Sequence, residues 1–149
     1  MSDIGKPEFV TQKRVIQLFD KSLGYTYLGD RTDRPDNSNV EAPLLSAWLA
    51  KQGWSQKHIT DAIYELQVEV SNKSRSLYEN NRAVYQLLRY GVSVLVEAGK
   101  DRDTVPLIDW ANPENNDFAI AEEVTLKGGH ERRPDLVLYY TLPYRLSDL

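Results

Sequence analysis

The stretch Arg132-Arg133-Pro134-Asp135-Leu136-Val137-Leu138-Tyr139-Tyr140 decides how the chain is read. From Leu136 to Tyr140 every residue is apolar, β-branched or aromatic, the make-up of a buried strand. Proline cannot donate to a strand ladder, so Pro134 marks the entry to that strand rather than its middle. Asp135 therefore stands at the strand's mouth, with the guanidinium groups of Arg132 and Arg133 just upstream. Alone, a Pro-Asp pair describes equally well a strand-entry turn carrying a solvated aspartate.

Working outward from that strand, three more extended runs precede it. Residues 92–96 and 104–110 read as strands joined by a charged turn over 99–103, and Pro106 makes the second an edge or bulged strand. Residues 118–126 give a third strand, after a turn at Asn112-Pro113-Glu114-Asn115-Asn116 and before the Gly128-Gly129 turn.

Before residue 91 the period is helical. Phe9, Ile16, Phe19 and Leu23 place one helix over about 7–23, stopped by Gly24. Pro7 and Glu8 occupy its first turn, where the missing N–H is harmless and negative charge is favoured. Residues 25–29 form a short extended piece, and 30–39, without an apolar residue, a loop. A second helix runs from Glu41 to Gly53 with Leu44, Leu45, Trp48 and Leu49 on one side. Ser55 caps a third, striped by Ile59, Ala62, Ile63, Leu66 and Val70. His58, one position off that stripe, reads as a solvated histidine. Ser74 or Ser76 opens a fourth helix with Leu77, Val84 and Leu88 inward. Arg75, Arg82 and Arg89 recur every seven residues on another face, a pattern open to a solvated face or to phosphate contact. Tyr78 and Tyr85 read as packing at the edge of the core.

Helices followed by strands predict an α+β fold, with N-terminal helices packed on a mostly antiparallel or mixed sheet. At 149 residues one domain, 1–149, accommodates the chain, helical over 7–90 and stranded over 92–140. The 41% hydrophobic and 27% charged content fits a globular protein. The formal net charge of -4 excludes binding of nucleic acid by bulk positive charge, though not by a local basic stripe. Without cysteine there is no disulfide and no thiolate metal site. No apolar run approaches the ~18 residues of a membrane span, and the N-terminus lacks a signal-peptide core, so a cytoplasmic location with no membrane partner is expected.

Phosphodiester cleavage needs a metal ion to activate water and to neutralise the scissile phosphate. Mg²⁺ prefers oxygen ligands and keeps several waters, so one or two carboxylates suffice. Asp135 suits that task, with Glu8 or one of Glu122 and Glu123 as a second ligand. Strand neighbours face opposite ways, so at most one of those two shares a side with Asp135.

Several segments then carry a resemblance. They are Pro7-Glu8-Phe9-Val10-Thr11-Gln12-Lys13-Arg14-Val15-Ile16, Leu23-Gly24-Tyr25, Ser74-Arg75-Ser76-Leu77-Tyr78-Glu79-Asn80-Asn81 and Leu87-Leu88-Arg89-Tyr90-Gly91-Val92. Ile108-Asp109-Trp110-Ala111-Asn112-Pro113-Glu114-Asn115-Asn116, Ala121-Glu122-Glu123-Val124-Thr125 and Arg133 to Tyr139 complete the set. In this order the chain resembles the N-terminal region of the type I restriction enzyme R subunit (HsdR), from about Pro7 to Tyr140. The resemblance implies a restriction-endonuclease-like PD-(D/E)xK fold and Mg²⁺-dependent DNA cleavage in restriction of foreign DNA. It makes Asp135 the aspartate of the motif and Glu8 the accompanying helix carboxylate, both catalytic, with Asp135, Glu8 and Glu123 as metal ligands. Arg75, Arg82, Arg89 and Arg133 become the DNA-binding residues. DNA and the modification and specificity subunits of a type I complex are the implied partners.

The family's next strand carries Glu-x-Lys, and here Thr141 to Leu149 contains neither Glu nor Lys. Arg145 replaces the lysine poorly, because a guanidinium stays protonated. ATP would enter only through the family's motor domain, and no phosphate-loop motif occurs in this sequence. The expectation is an R subunit cut before the Glu-x-Lys strand, an incomplete fold that is not a working nuclease by itself. The alternative is a non-catalytic module or remnant of a restriction complex that docks on protein or DNA.

Overall fold

The computed structural model describes residues 6–33, 40–125 and 133–140. They form two compact units, one from 6–33 with 117–125 and 133–140, the other from 40–116. Where the sequence suggests one domain with helices first and strands after, the second unit is inserted in the chain between two strands of the first.

The first unit holds helix α1 (Lys6–Gln17), a π turn (Leu18–Ser22) and strand β1 (Thr26–Asp30). Strands β4 (Phe118–Glu122) and β5 (Leu136–Tyr140) complete it, numbered after β2 (Val92–Val94) and β3 (Asp103–Val105) of the second unit. β4 lies in the middle, parallel to β1 and antiparallel to β5. The sheet is thus mixed, in keeping with the α+β expectation. A parallel neighbour needs a long crossover, and the inserted unit supplies it. Alternation puts Ala119 and Ala121 opposite Tyr139 and Val137, and these four with Val124 form a buried cluster against Leu28.

The helix expected over 7–23 ends at Gln17, and the π turn carries the chain to Ser22. The wider winding of a π turn moves later residues out of phase with the helix before it. Of the predicted stripe, Ile16 is buried and Phe19 half-buried, set edge-on to Tyr25 at 4.8 Å. Phe9 and Leu23 are exposed instead. Gly24, at φ +73, then takes the left-handed conformation that stops the turn.

The second unit contains α2 (Ala42–Lys51), α3 (Gln56–Val70), α4 (Leu77–Tyr90), β2 (Val92–Val94), β3 (Asp103–Val105) and a 3-10 turn (Pro113–Asn115). α3 packs against α2, α4 and the β2–β3 hairpin. Its expected stripe buries Ile59, Ala62 and Leu66, beside Leu45, Trp48 and Leu49 of α2. Ser55 caps α3 by accepting from the His58 N–H. Ser76 caps α4 in a capping box with Glu79, so the start falls at Ser76 and not Ser74. Gly91 sits at φ +86, where an added Cβ would lie 2.9 Å from the Val105 carbonyl oxygen.

Three expectations change here. Val92–Val94 and Asp103–Val105 form their own two-stranded sheet, because Pro106 cannot extend the ladder and 107–110 leave it. Leu77 is exposed at 76%, since it sits in the first turn of α4 next to the cap, leaving Val84 as the buried anchor. His58 is not free in solvent: Nδ1 lies 2.6 Å from Ser55 Oγ and Nε2 2.7 Å from Asp103 Oδ2, which ties α3 to β3.

Candidate functional site

The acidic end of the three-stranded sheet holds Glu122, Glu123, Arg133 and Asp135. β4 ends at Glu122, and Glu123 follows at φ +54, a left-handed conformation that costs a non-glycine residue about 1–2 kcal/mol. The Glu123 N–H donates to the Asp135 carbonyl oxygen at 3.0 Å, continuing the β4–β5 pairing one step past Glu122↔Leu136. Glu123 and Asp135 are therefore paired across the strands at the same end of the sheet. Asp135 itself is exposed.

Three donors hold the glutamates. Gln12, on α1, donates from Nε2 to Glu122 Oε2 at 3.0 Å and to Glu123 Oε1 at 3.3 Å. Arg133 places Nε 3.0 Å from Glu123 Oε2. The Tyr27 hydroxyl, on β1, donates to Glu122 Oε1. Burial, then the hydrogen bond and charge of Glu122, push the Tyr27 phenol from 10.0 up to about 12. Asp30, at the end of β1, accepts from the Thr32 N–H at 2.8 Å and from its hydroxyl at 2.6 Å. Those bonds hold its carboxyl below the usual carboxylate range, with Arg133 adding to the effect.

Glu8 is exposed in the first turn of α1. Residues four apart are neighbours on a helix face, so Glu8 stands one turn, ~6 Å, from Gln12, the residue that reaches both glutamates. Of α1, it is Gln12 and not Glu8 that is bonded to the end of β4. Among the described residues no three His, Asp or Glu side chains form a metal-holding group. Gln12 bonds both glutamates, and Arg133 pairs with Glu123.

The four arginines separate. Arg133 is engaged with Glu123 at the acidic end. Arg75 precedes the Ser76 cap and so lies off α4, which corrects its place in the helical stripe. Its Nε donates to Asn80 Oδ1 at 3.1 Å, and a terminal nitrogen pairs with the Glu69 carboxylate, making it a brace between α3 and α4. Arg82 and Arg89 remain on α4, both exposed. Arg89 lies over the rings of Tyr90 and Trp110, at 5.7 and 5.6 Å.

Gln12, Tyr27 and Asp30 were not among the residues the sequence pointed to. Only Gln12 left a trace there, its i+4 spacing from Glu8. Residues 141–149, where Glu-x-Lys was sought, lie outside the described residues.

A family model described as the type I restriction enzyme R protein N terminus matches residues 6–143. Neither the curated proteins nor the solved structures give a match.

Proposed function

This chain belongs to the family of type I restriction enzyme R protein N termini, and from that membership we propose that its acidic sheet end is the metal centre of a DNA-cleaving R subunit. The cross-strand pair of Glu123 and Asp135 beneath the helix that bears Glu8 and Gln12 carries this reading. The donor set fits Mg²⁺ in kind: it is all oxygen, free of thiolate and imidazole, and one or two carboxylates with water suffice. When bound, such an ion would polarise a scissile phosphate and lower the pKa of an attached water.

In this reading Asp135, exposed at the strand mouth, is the principal ligand, and Glu8 approaches from the helix. Gln12 and Arg133 hold Glu123 beside them. Arg133 also brings positive charge to where a DNA phosphate would sit, offsetting the acids around it. In this reading DNA and the modification and specificity subunits are the partners.

Calorimetric titration with Mn²⁺ or Mg²⁺ tests the reading. Heat of binding present in the wild type and gone in Asp135→Ala supports it, and equal heats in both overturn the site.

A further inference from the structure

We propose that the exposed face of α4 is a track for single-stranded nucleic acid, where Tyr78 and Tyr85 stack on unpaired bases and Arg82 and Arg89 hold the phosphates. Positions 78, 82, 85 and 89 are spaced four, three and four, which places them in one stripe roughly 60° wide on a helix. Aromatic and cationic residues alternate along it for about 16 Å. The sequence suggests that the tyrosines pack at the core edge, but Tyr78 is 75% and Tyr85 58% exposed. Rings so open to water are available for stacking.

The charge on this face is positive. Glu79 is the one acid in α4, and its carboxylate is turned to the Ser76 N–H at 2.9 Å, inside the capping box. Arg82 meets no partner among the described residues. Arg89 is set between Tyr90 and Trp110, and the Trp110 indole N–H donates to the Leu88 carbonyl at 2.9 Å, which fixes that ring at the C-terminal end of the stripe. Flat rings interleaved with guanidinium groups match a strand whose bases are free to stack and whose backbone is anionic. A duplex hides its base faces and would use only the arginines. The choice of DNA as the strand rests on the family reading given above, while the choice of the unpaired form rests on the tyrosines.

Fluorescence anisotropy with a labelled oligothymidylate and a duplex of equal length, both in EDTA, tests the proposal. The oligothymidylate should bind more tightly than the duplex. Tyr78→Ala and Tyr85→Ala should each weaken it about tenfold, and Tyr85→Trp should preserve it. Arg82→Gln or Arg89→Gln should reduce the slope of log affinity against log salt by roughly 0.7. Circular dichroism should show all variants folded, as expected for exposed positions. Equal duplex binding, unaffected tyrosine variants, or restriction-subunit binding lost in these variants while DNA binding stays, each overturns the proposal. Asp135→Ala separates the two sites: calorimetric metal binding lost with oligothymidylate binding in EDTA kept leaves both standing, equal metal heats with oligothymidylate binding kept overturn the metal centre alone, and oligothymidylate binding lost in this variant overturns the track.

Discussion

The acidic sheet end and the start of α4 are both dense in polar contacts, yet they are built in opposite ways. At the sheet end, Gln12 reaches Glu122 across 110 positions of sequence, and Tyr27 reaches it across 95. At the start of α4, Ser76 meets Glu79 three positions away, Arg75 meets Glu69 six away, and Asn80 meets Asn72 eight away. A local network forms with its own helix and satisfies itself. A long-range one exists only after the sheet assembles, and here it ties Glu122 and Glu123 to two neutral donors and one arginine, with Asp30 and Asp135 on the neighbouring strands. Setting two adjacent carboxylates on shared donors gives up stability that a purely structural contact would keep. The contrast separates a structural brace from a candidate site.

The largest effect should come from the apolar core that keeps the local networks in place. Trp48 is 1% exposed, and its indole N–H donates to the Asn115 carbonyl at 2.9 Å. Trp48→Ala should cost about 3–5 kcal/mol in urea denaturation. A loss under about 1 kcal/mol would mean that this unit is not held by its core.

Next comes the brace. Asn80 donates to the Asn72 carbonyl at 2.6 Å while accepting from Arg75. Asn80→Ala leaves both partners unmatched and should destabilise by about 1–3 kcal/mol. Arg75→Ala in that background should add little, since the two belong to one network. Full additivity would break the claim that Arg75 is structural. Smaller again, Ser76→Ala removes the cap and should cost about 1 kcal/mol by thermal melting, with Ser76→Asp restoring most of it.

The same contrast explains what could be read from the sequence. Ser55, Ser76 and the stripe of α3 were legible because their partners lie within a turn or two. The strand after Pro134 was legible because proline and an unbroken apolar run act locally. Gln12 and Tyr27 were not, since nothing near either residue signals a glutamate about a hundred positions away. The three arginines seven apart looked equivalent, and only the position of the Ser76 cap separates Arg75 from the other two. In α1 a uniform period was projected through a π turn that only the contacts around Phe19 and Tyr25 reveal.

The mildest probe acts inside the acidic cluster. Tyr27 is 39% exposed, and partial burial, then the hydrogen bond and charge of Glu122, raise its phenol to about 12. A folded pKa above the unfolded value of 10.0 means that this contribution to stability is complete below pH 10 and fades as pH rises toward 12. Tyrosinate absorbance should therefore show a late-ionising component that Tyr27→Phe removes. Glu122→Gln takes away the charge but leaves the burial, so the midpoint should fall while staying above 10.0. An unchanged midpoint would show that burial alone keeps the proton on Tyr27, and the glutamate would then be held chiefly by Gln12. A fall all the way to the ordinary value would show the reverse, that the long-range contact between β1 and β4 sets the electrostatics of this end of the sheet.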